Sequence, residues 1–176
     1  DKLWCIVCHD IDTNEVTHYT PYEVNSFNLD GIAEIIGHNI LGYDVPVLER
    51  LLGCDFTGIK LTDTLVMSRL FNPVREGGHS LKAWGEKLGN LKGDFTDFSQ
   101  YSDEMLEYCI NDVAVNVLVY KHLLVEAKGF SEESIQLEMD VHSIISEQVR
   151  NGWLLDEKKA FMLLAELKES MLDAEA

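Results

Sequence analysis

The chain has 176 residues, 46% of them hydrophobic, enough for one compact domain with a buried core and room for an appendage. Its 31 acidic residues outnumber the 14 Lys plus Arg and give a formal charge of −17, so it lacks the basic balance of a protein that grips nucleic acid unaided. No apolar run approaches the roughly 20 residues of a membrane span, and the N-terminus lacks the basic, apolar, small-residue order of a secretory signal.

We therefore expect no membrane partner, and the cysteine pattern suits a reducing cytoplasm. The first residue is Asp1 rather than methionine, which leads us to expect a trimmed or processed chain.

Leu3 to His9 is a short, continuous apolar run and predicts a strand buried on both faces. Cys5 and Cys8 have CxxC spacing, but no second pair follows, and residues three apart on a strand point to opposite faces. A core strand is expected there, not a zinc or redox motif. Asp10 to Asn14 is turn chemistry and Glu15 to Thr20 alternates, which predicts a hairpin. Ile35 to His38 reads as another buried strand, running into a loop at Asn39 to Gly42.

A helix is expected from about Tyr43, with Asp44 near its N-cap, Pro46 in its first turn and Gly53 just past its end. Ile59 to Thr62 predicts a strand ending at Asp63. A short helix over Leu65 to Leu70 is stopped by Asn72-Pro73, and Ser80 caps a helix with Leu81, Trp84 and Leu88 on one face. Asn90 to Tyr101 has no clear period.

Ser102 then caps a strong helix, with Met105, Cys109, Val113 and Val117 at helical spacing. From Ser131 the pattern is purely helical: one helix to about Asn151, a break at Gly152, and a second helix capped by Asp156. Strands alternating with helices predict an α/β fold over residues 1–128. Residues 129–176 form a helical extension.

Two constellations carry candidate chemistry. After the third strand comes His38-Asn39-Ile40-Leu41-Gly42-Tyr43-Asp44, at the carboxyl end of a strand, where open α/β folds bind ligands. Tyr108 and Asp112 lie four apart on one helical face. Cys109 and Ile110 are expected to point into the core, which puts the pair at its margin. Each is ordinary alone, since an Asp often serves only to cap a helix.

In chain order the motifs are more specific. Asn-x-x-x-Tyr-Asp follows a strand, Asp63-Thr64 follows the next, and Tyr-x-x-x-Asp sits in a later helix. This set resembles the DEDD superfamily of exonucleases, in the branch whose last motif carries tyrosine. The segments Asp63 to Leu70 and His79 to Gly85 resemble the proofreading domain of phage-type family A DNA polymerases. Glu147 to Asp156 resembles the stretch that opens the polymerase domain in that family.

The resemblance implies a ribonuclease H-like fold, a mixed sheet flanked by helices, and 3′–5′ exonuclease activity on DNA. It implies a two-metal site for Mg²⁺ or Mn²⁺, hard cations that want oxygen ligands. Asp112 would bind one metal and Asp44 the other, with Tyr108 orienting the attacking water. Asn39 and Tyr43 would contact the terminal nucleotide, and His79 would line the substrate groove.

The partners implied are a single-stranded DNA 3′ end and a downstream polymerase domain. The first family motif, Asp-x-Glu, should end a strand ahead of the hairpin, and Asp10-Ile11-Asp12 falls in the hairpin turn instead. The motif is therefore expected upstream of Asp1, with the two-metal site impaired without it. Two alternatives stand beside this reading. One is an exonuclease fold with a lost site that serves as a structural or DNA-guiding module. The other is an RNase D-like exoribonuclease.

Overall fold

The computed structural model describes residues 2–89 and 95–175, so part of the aperiodic segment after α3 lies outside the described residues. The chain divides into two compact units, Asp1–Ser146 and Glu147–Ala176. The first is mixed α/β and contains all four strands.

Strands β1 (Ile6–His9) and β2 (Val16–Tyr19) form the expected antiparallel hairpin, with Ile6 opposite Tyr19 and His9 opposite Val16. The turn is built by Asp10, whose carboxylate accepts the backbone N–H of Asp12 and of Thr13, each at 2.9 Å. Asn14 takes the left-handed conformation that closes it, at φ 61°. Asp10 thus serves the turn.

Strands β3 (Glu34–Gly37) and β4 (Lys60–Asp63) pair in parallel, with Gly37 opposite Asp63. Helix α1 (Asp44–Leu52) connects them, and Gly53 ends it at φ 68°. The residue at the cap position of α1 is Tyr43, which makes no side-chain capping bond, and Asp44 is the first helical residue.

The expected mixed sheet is present as two separate two-stranded ladders. Among the described residues β1 pairs only with β2 and β3 only with β4, so each keeps one unpaired edge. Every residue of β1 and of β3 is half-buried rather than buried. The sequence expectation of strands covered on both faces is not met. Among the described residues each has one pairing partner, and an apolar strand is fully covered only with a strand on each side and a layer on each face.

Helix α2 (Thr64–Phe71) starts directly from β4, and α3 (Leu81–Leu88) is capped by Ser80 as expected, its hydroxyl accepting the N–H of Ala83. Helix α4 (Asp103–Glu126) is capped by Ser102 and takes contacts from β1, α2 and α3. The main core gathers Ile40, Leu41, Val45, Phe56, Val66, Met67, Trp84, Val115, Val119, Leu123 and Met139.

One expectation for α4 is corrected. Met105 is buried as expected, but the other enclosed residues are Val115, Val119 and Leu123, whereas Cys109, Val113 and Val117 are only half-buried. Stepping back by helical turns, the stripe of Val115, Val119 and Leu123 runs through Asp112 and Tyr108, so the polar pair continues the core-facing line instead of flanking it. A helix touched by three elements has no single apolar face, which is why periodicity misjudged it.

Helix α5 (Glu132–Asn151) begins in the first unit, where Met139 joins the core, and the boundary between units falls within it. In the second unit Gly152, at φ 67°, ends α5, and the Asp156 carboxylate accepts the N–H of Lys159 at 3.0 Å to cap α6 (Glu157–Glu175). No residue of α6 is buried, and Met162, Leu163, Leu167 and Met171 are all exposed. Among the described residues no helix is long and apolar enough to cross a membrane.

Candidate active site

The site is organised by Asp63, which is 0% exposed at the carboxyl end of β4. Its Oδ1 accepts the backbone N–H of Leu65 at 2.9 Å and of Val66 at 3.4 Å, capping α2. The same oxygen accepts the N–H of Asn39 at 2.9 Å, and Oδ2 accepts that of Leu41 at 3.2 Å. One carboxylate therefore starts a helix and pins the loop that leaves β3. Such charge-assisted bonds are the strong class, and they satisfy donors that would otherwise be buried unpaired.

The pinned loop is tight. Asn39 is left-handed at φ 62°, a conformation Asn tolerates better than most residues. A Cβ at Gly42 would lie 2.7 Å from Asn39 Oδ1, and one at Gly37 would lie 2.7 Å from the Cβ of buried Ile40. At Gly37 only glycine fits, because the Ile40 Cβ is fixed to the backbone, whereas at Gly42 a larger residue would push the Asn39 side chain aside. The loop presents Tyr43 with 65% of its surface exposed and leads into Asp44 at the start of α1.

Asp44 has the most perturbed carboxyl of this region, pushed up to about 6. Surrounding protein atoms are the main cause; its own backbone N–H opposes them, and the nearby Asp63 charge adds to the rise. The residue as a whole still keeps an exposed surface. Solvent on the open side screens the effect.

The second constellation is carried by α4. The Tyr108 ring lies 5.7 Å from Phe95 and 6.1 Å from Phe98 by centroids, and those two rings are 5.1 Å apart. Trp4 holds this aromatic loop from the other direction, donating its indole N–H to the Phe98 carbonyl at 3.1 Å. Asp112, one turn on from Tyr108, keeps its Oδ1 out of solvent.

A hydrogen-bonded chain ties the two constellations together. Thr64 Oγ1 donates to Asn116 Oδ1 at 2.7 Å and lies 2.9 Å from His38 Nδ1. A hydroxyl has one proton, so once it is given to Asn116 the His38 nitrogen is left to donate. His38 leads into the Asn39 loop, and Asn116 is one turn beyond Asp112.

His79 joins a different group. Its Nδ1 is 2.8 Å from Ser68 Oγ, which also accepts the Trp84 indole N–H at 3.2 Å. Arg75 stacks over Trp84 at 4.3 Å and forms a two-pronged pair with Glu126, one prong at 3.0 Å. His122 adds a contact to Glu126 at 3.1 Å. His79 therefore belongs to a structural lock between α2, α3 and α4, whereas Asn39, Tyr43 and Asp44 share one loop and Tyr108 and Asp112 share one helix.

The chain is 27% identical to the DNA-directed DNA polymerase of Escherichia phage T7 over 231 aligned positions, which cover 94% of this chain and 33% of that protein. The match to the DNA-directed DNA polymerase of Enterobacteria phage T3 has the same identity and the same coverage. The chain spans about a third of the length of these relatives. No family model matches it. The resemblance to phage DNA polymerases read from the motifs is thus found across nearly the whole chain.

The sequence placed Asp63-Thr64 among the motifs without giving either residue a role, and it did not single out Asn116. Signals for them existed, because Asp63-Thr64 ends a strand and Asn116 extends the Tyr108–Asp112 spacing by one more turn. Among the described residues no three His, Cys, Asp or Glu side chains gather where they could hold a metal ion. Asp44 and Asp112 are oxygen donors of the right kind for Mg²⁺ or Mn²⁺, but the described residues do not complete a centre.

Proposed function

We propose that this chain is the 3′–5′ proofreading exonuclease segment of a phage-type DNA polymerase, acting on the single-stranded 3′ end of DNA. The observation that carries the reading is the Thr64–Asn116 tie, which couples the loop bearing Asn39, Tyr43 and Asp44 to the helix bearing Tyr108 and Asp112. Similarity to two phage DNA polymerases over 94% of the chain supports it.

In this reading Tyr43 and Asn39 hold the terminal nucleotide and Tyr108 orients water through its hydroxyl, its ring braced by Phe95 and Phe98. Asp44 and Asp112 are the chain's own carboxylates for Mg²⁺ or Mn²⁺. Two such ions, when bound, would activate the water and stabilise the leaving oxygen. They would also offset the repulsion between DNA and a chain of formal charge −17.

In this reading a further strand ending in Asp-x-Glu accompanies this segment. Such a strand would cover the unpaired edges of β1 and β3 and supply the missing carboxylates.

The test compares the 176-residue chain with a version preceded by a strand carrying Asp-x-Glu, using 3′-labelled single-stranded DNA and RNA with Mg²⁺. The extended protein is expected to release deoxynucleoside monophosphates from DNA, and Asp112→Ala to reduce this by about a hundredfold or more. An extended protein that is inert, and unchanged by Asp112→Ala, refutes the reading. Preferential RNA digestion would favour an RNase D-like enzyme.

The lack of a metal-capable cluster among the described residues favours a second reading, a DNA-guiding module without catalysis. Retained single-strand binding by the extended protein, without Mn²⁺ binding or hydrolysis, would select it.

A further inference from the structure

Cys5 and Cys109 are 104 positions apart in sequence, yet their sulfur atoms lie 3.6 Å from each other. Cys5 sits immediately before β1, and Cys109 belongs to α4 in the turn that carries Tyr108. Both residues are half-buried, so a small oxidant can reach them while the fold holds them side by side. Spacing alone points elsewhere, to the Cys5–Cys8 pair, but Cys8 lies inside β1 and its contacts are those of a strand residue.

Cys5 and Cys8 also differ in reactivity. Burial pushes the Cys8 thiol up, whereas the hydrogen bond with Cys109 holds the Cys5 thiol below its ordinary value against an opposing effect of burial. Once Cys5 ionises, the Cys109 S–H is the donor to its thiolate. The thiolate is the attacking species in thiol–disulfide chemistry.

We propose that Cys5 and Cys109 form a built-in oxidation site, a thiol pair that a small-molecule disulfide such as oxidised glutathione converts into an intramolecular disulfide. The Cys5 thiolate attacks one sulfur of the oxidant, forming a mixed disulfide and expelling one glutathione thiolate. Cys109 gives its proton to solvent and attacks the Cys5 sulfur, expelling the second glutathione thiolate. The two protein thiols lose two electrons and two protons, and the oxidant is reduced to two molecules of glutathione.

A disulfide needs its sulfurs about 2.05 Å apart, so an approach of about 1.5 Å is required. Cys5 can supply it, because it lies outside the β1 ladder. The product fastens the segment before β1 to the helical turn that carries Tyr108, reinforcing the Trp4–Phe98 hydrogen bond across the same region.

The test treats the full chain, at low concentration, with excess oxidised glutathione, then alkylates, digests without reductant and maps the peptides by mass spectrometry. The expected main product is a Cys5–Cys109 cross-linked peptide, two hydrogens lighter than its reduced parts, with Cys8 and Cys54 left as the alkylated thiols. It should exceed any Cys5–Cys8 product by about tenfold or more, because the contact is preformed.

Cys8→Ser should leave the product unchanged. Cys109→Ser, with Cys109→Ala as a second variant in case one misfolds, should halt the reaction at the Cys5 mixed disulfide. In urea the preference should pass to the near neighbours Cys5 and Cys8. Stable mixed disulfides on both Cys5 and Cys109 without a cross-link, or a Cys5–Cys8 link as the main native product, would overturn the proposal.

Discussion

Replacing Asp63 tests whether one carboxylate both caps α2 and shapes the candidate site. In Asp63→Asn the side-chain oxygen can keep the three N–H groups now served by Oδ1, those of Asn39, Leu65 and Val66. Its amide nitrogen must then face the Leu41 N–H, which loses its acceptor. Two buried donors are left opposed, each costing about 1–3 kcal/mol, and part of that is recovered because a charge is no longer buried.

The expected net loss is about 2–4 kcal/mol. In urea unfolding this lowers the midpoint by about 1–2 M at a slope of about 2 kcal/mol/M. Asp63→Ala strips the acceptor from all four N–H groups and should come close to the whole stability of about 5–15 kcal/mol of a domain this size. Hydrogen exchange of the Asn39 and Leu41 amides should quicken in Asp63→Asn before global unfolding does. If Asp63→Asn unfolds within about 0.5 kcal/mol of the parent chain, the reasoning fails, since surface-like substitutions behave that way.

Three further outcomes are expected. Glu126→Gln leaves the buried Arg75 guanidinium, with 3% of its side chain exposed, facing a neutral partner, and should cost about 3 kcal/mol near neutral pH. Arg75 holds the Glu126 carboxyl below its ordinary 4.5, so the parent chain's advantage is complete above that value and vanishes as pH falls through the depressed folded one; unfolding curves at pH 7 and pH 3 check this. Asp44 has the opposite sign: its folded value of about 6 lies above the ordinary 3.8, so its ionisation removes stability as pH rises through that window. Asp44→Asn should match the parent near pH 4 and exceed it at pH 7.5 by no more than about 1 kcal/mol, the open surface limiting the effect, and equal stabilities at both pH values would contradict the cause assigned here. Gly37→Ala should destabilise by about 1–3 kcal/mol, because the new methyl meets the buried Ile40 at 2.7 Å, and thermal unfolding reads this directly.

Local chemistry made much of this molecule legible from sequence. Ser80 and Ser102 cap helices because their hydroxyls reach N–H groups within the next turn, and Gly53, Gly89 and Gly152 end helices because they adopt left-handed backbone without strain. Among the described residues the hairpin, the strands, the α-helices and the order of the motifs follow from such short-range rules and from periodicity. The placement of Asn39, Tyr43 and Asp44 at the turn from β3 into α1, and of Tyr108 and Asp112 on one helical face, was legible from spacing alone.

Contacts between distant segments were not legible, because no period or spacing encodes them. Asp63 reaching back to Asn39 and Leu41, Thr64 bonding Asn116, and Cys5 meeting Cys109 depend on how β4, α2 and α4 pack. Tertiary contact also decided that His79 bonds Ser68 and that α4 is enclosed by three elements, so its inward stripe is Val115, Val119 and Leu123. Strand pairing was the last thing only the fold could show. An apolar run predicts a strand, but the number of neighbours it finds is a property of the assembled sheet, and among the described residues β1 and β3 each have one.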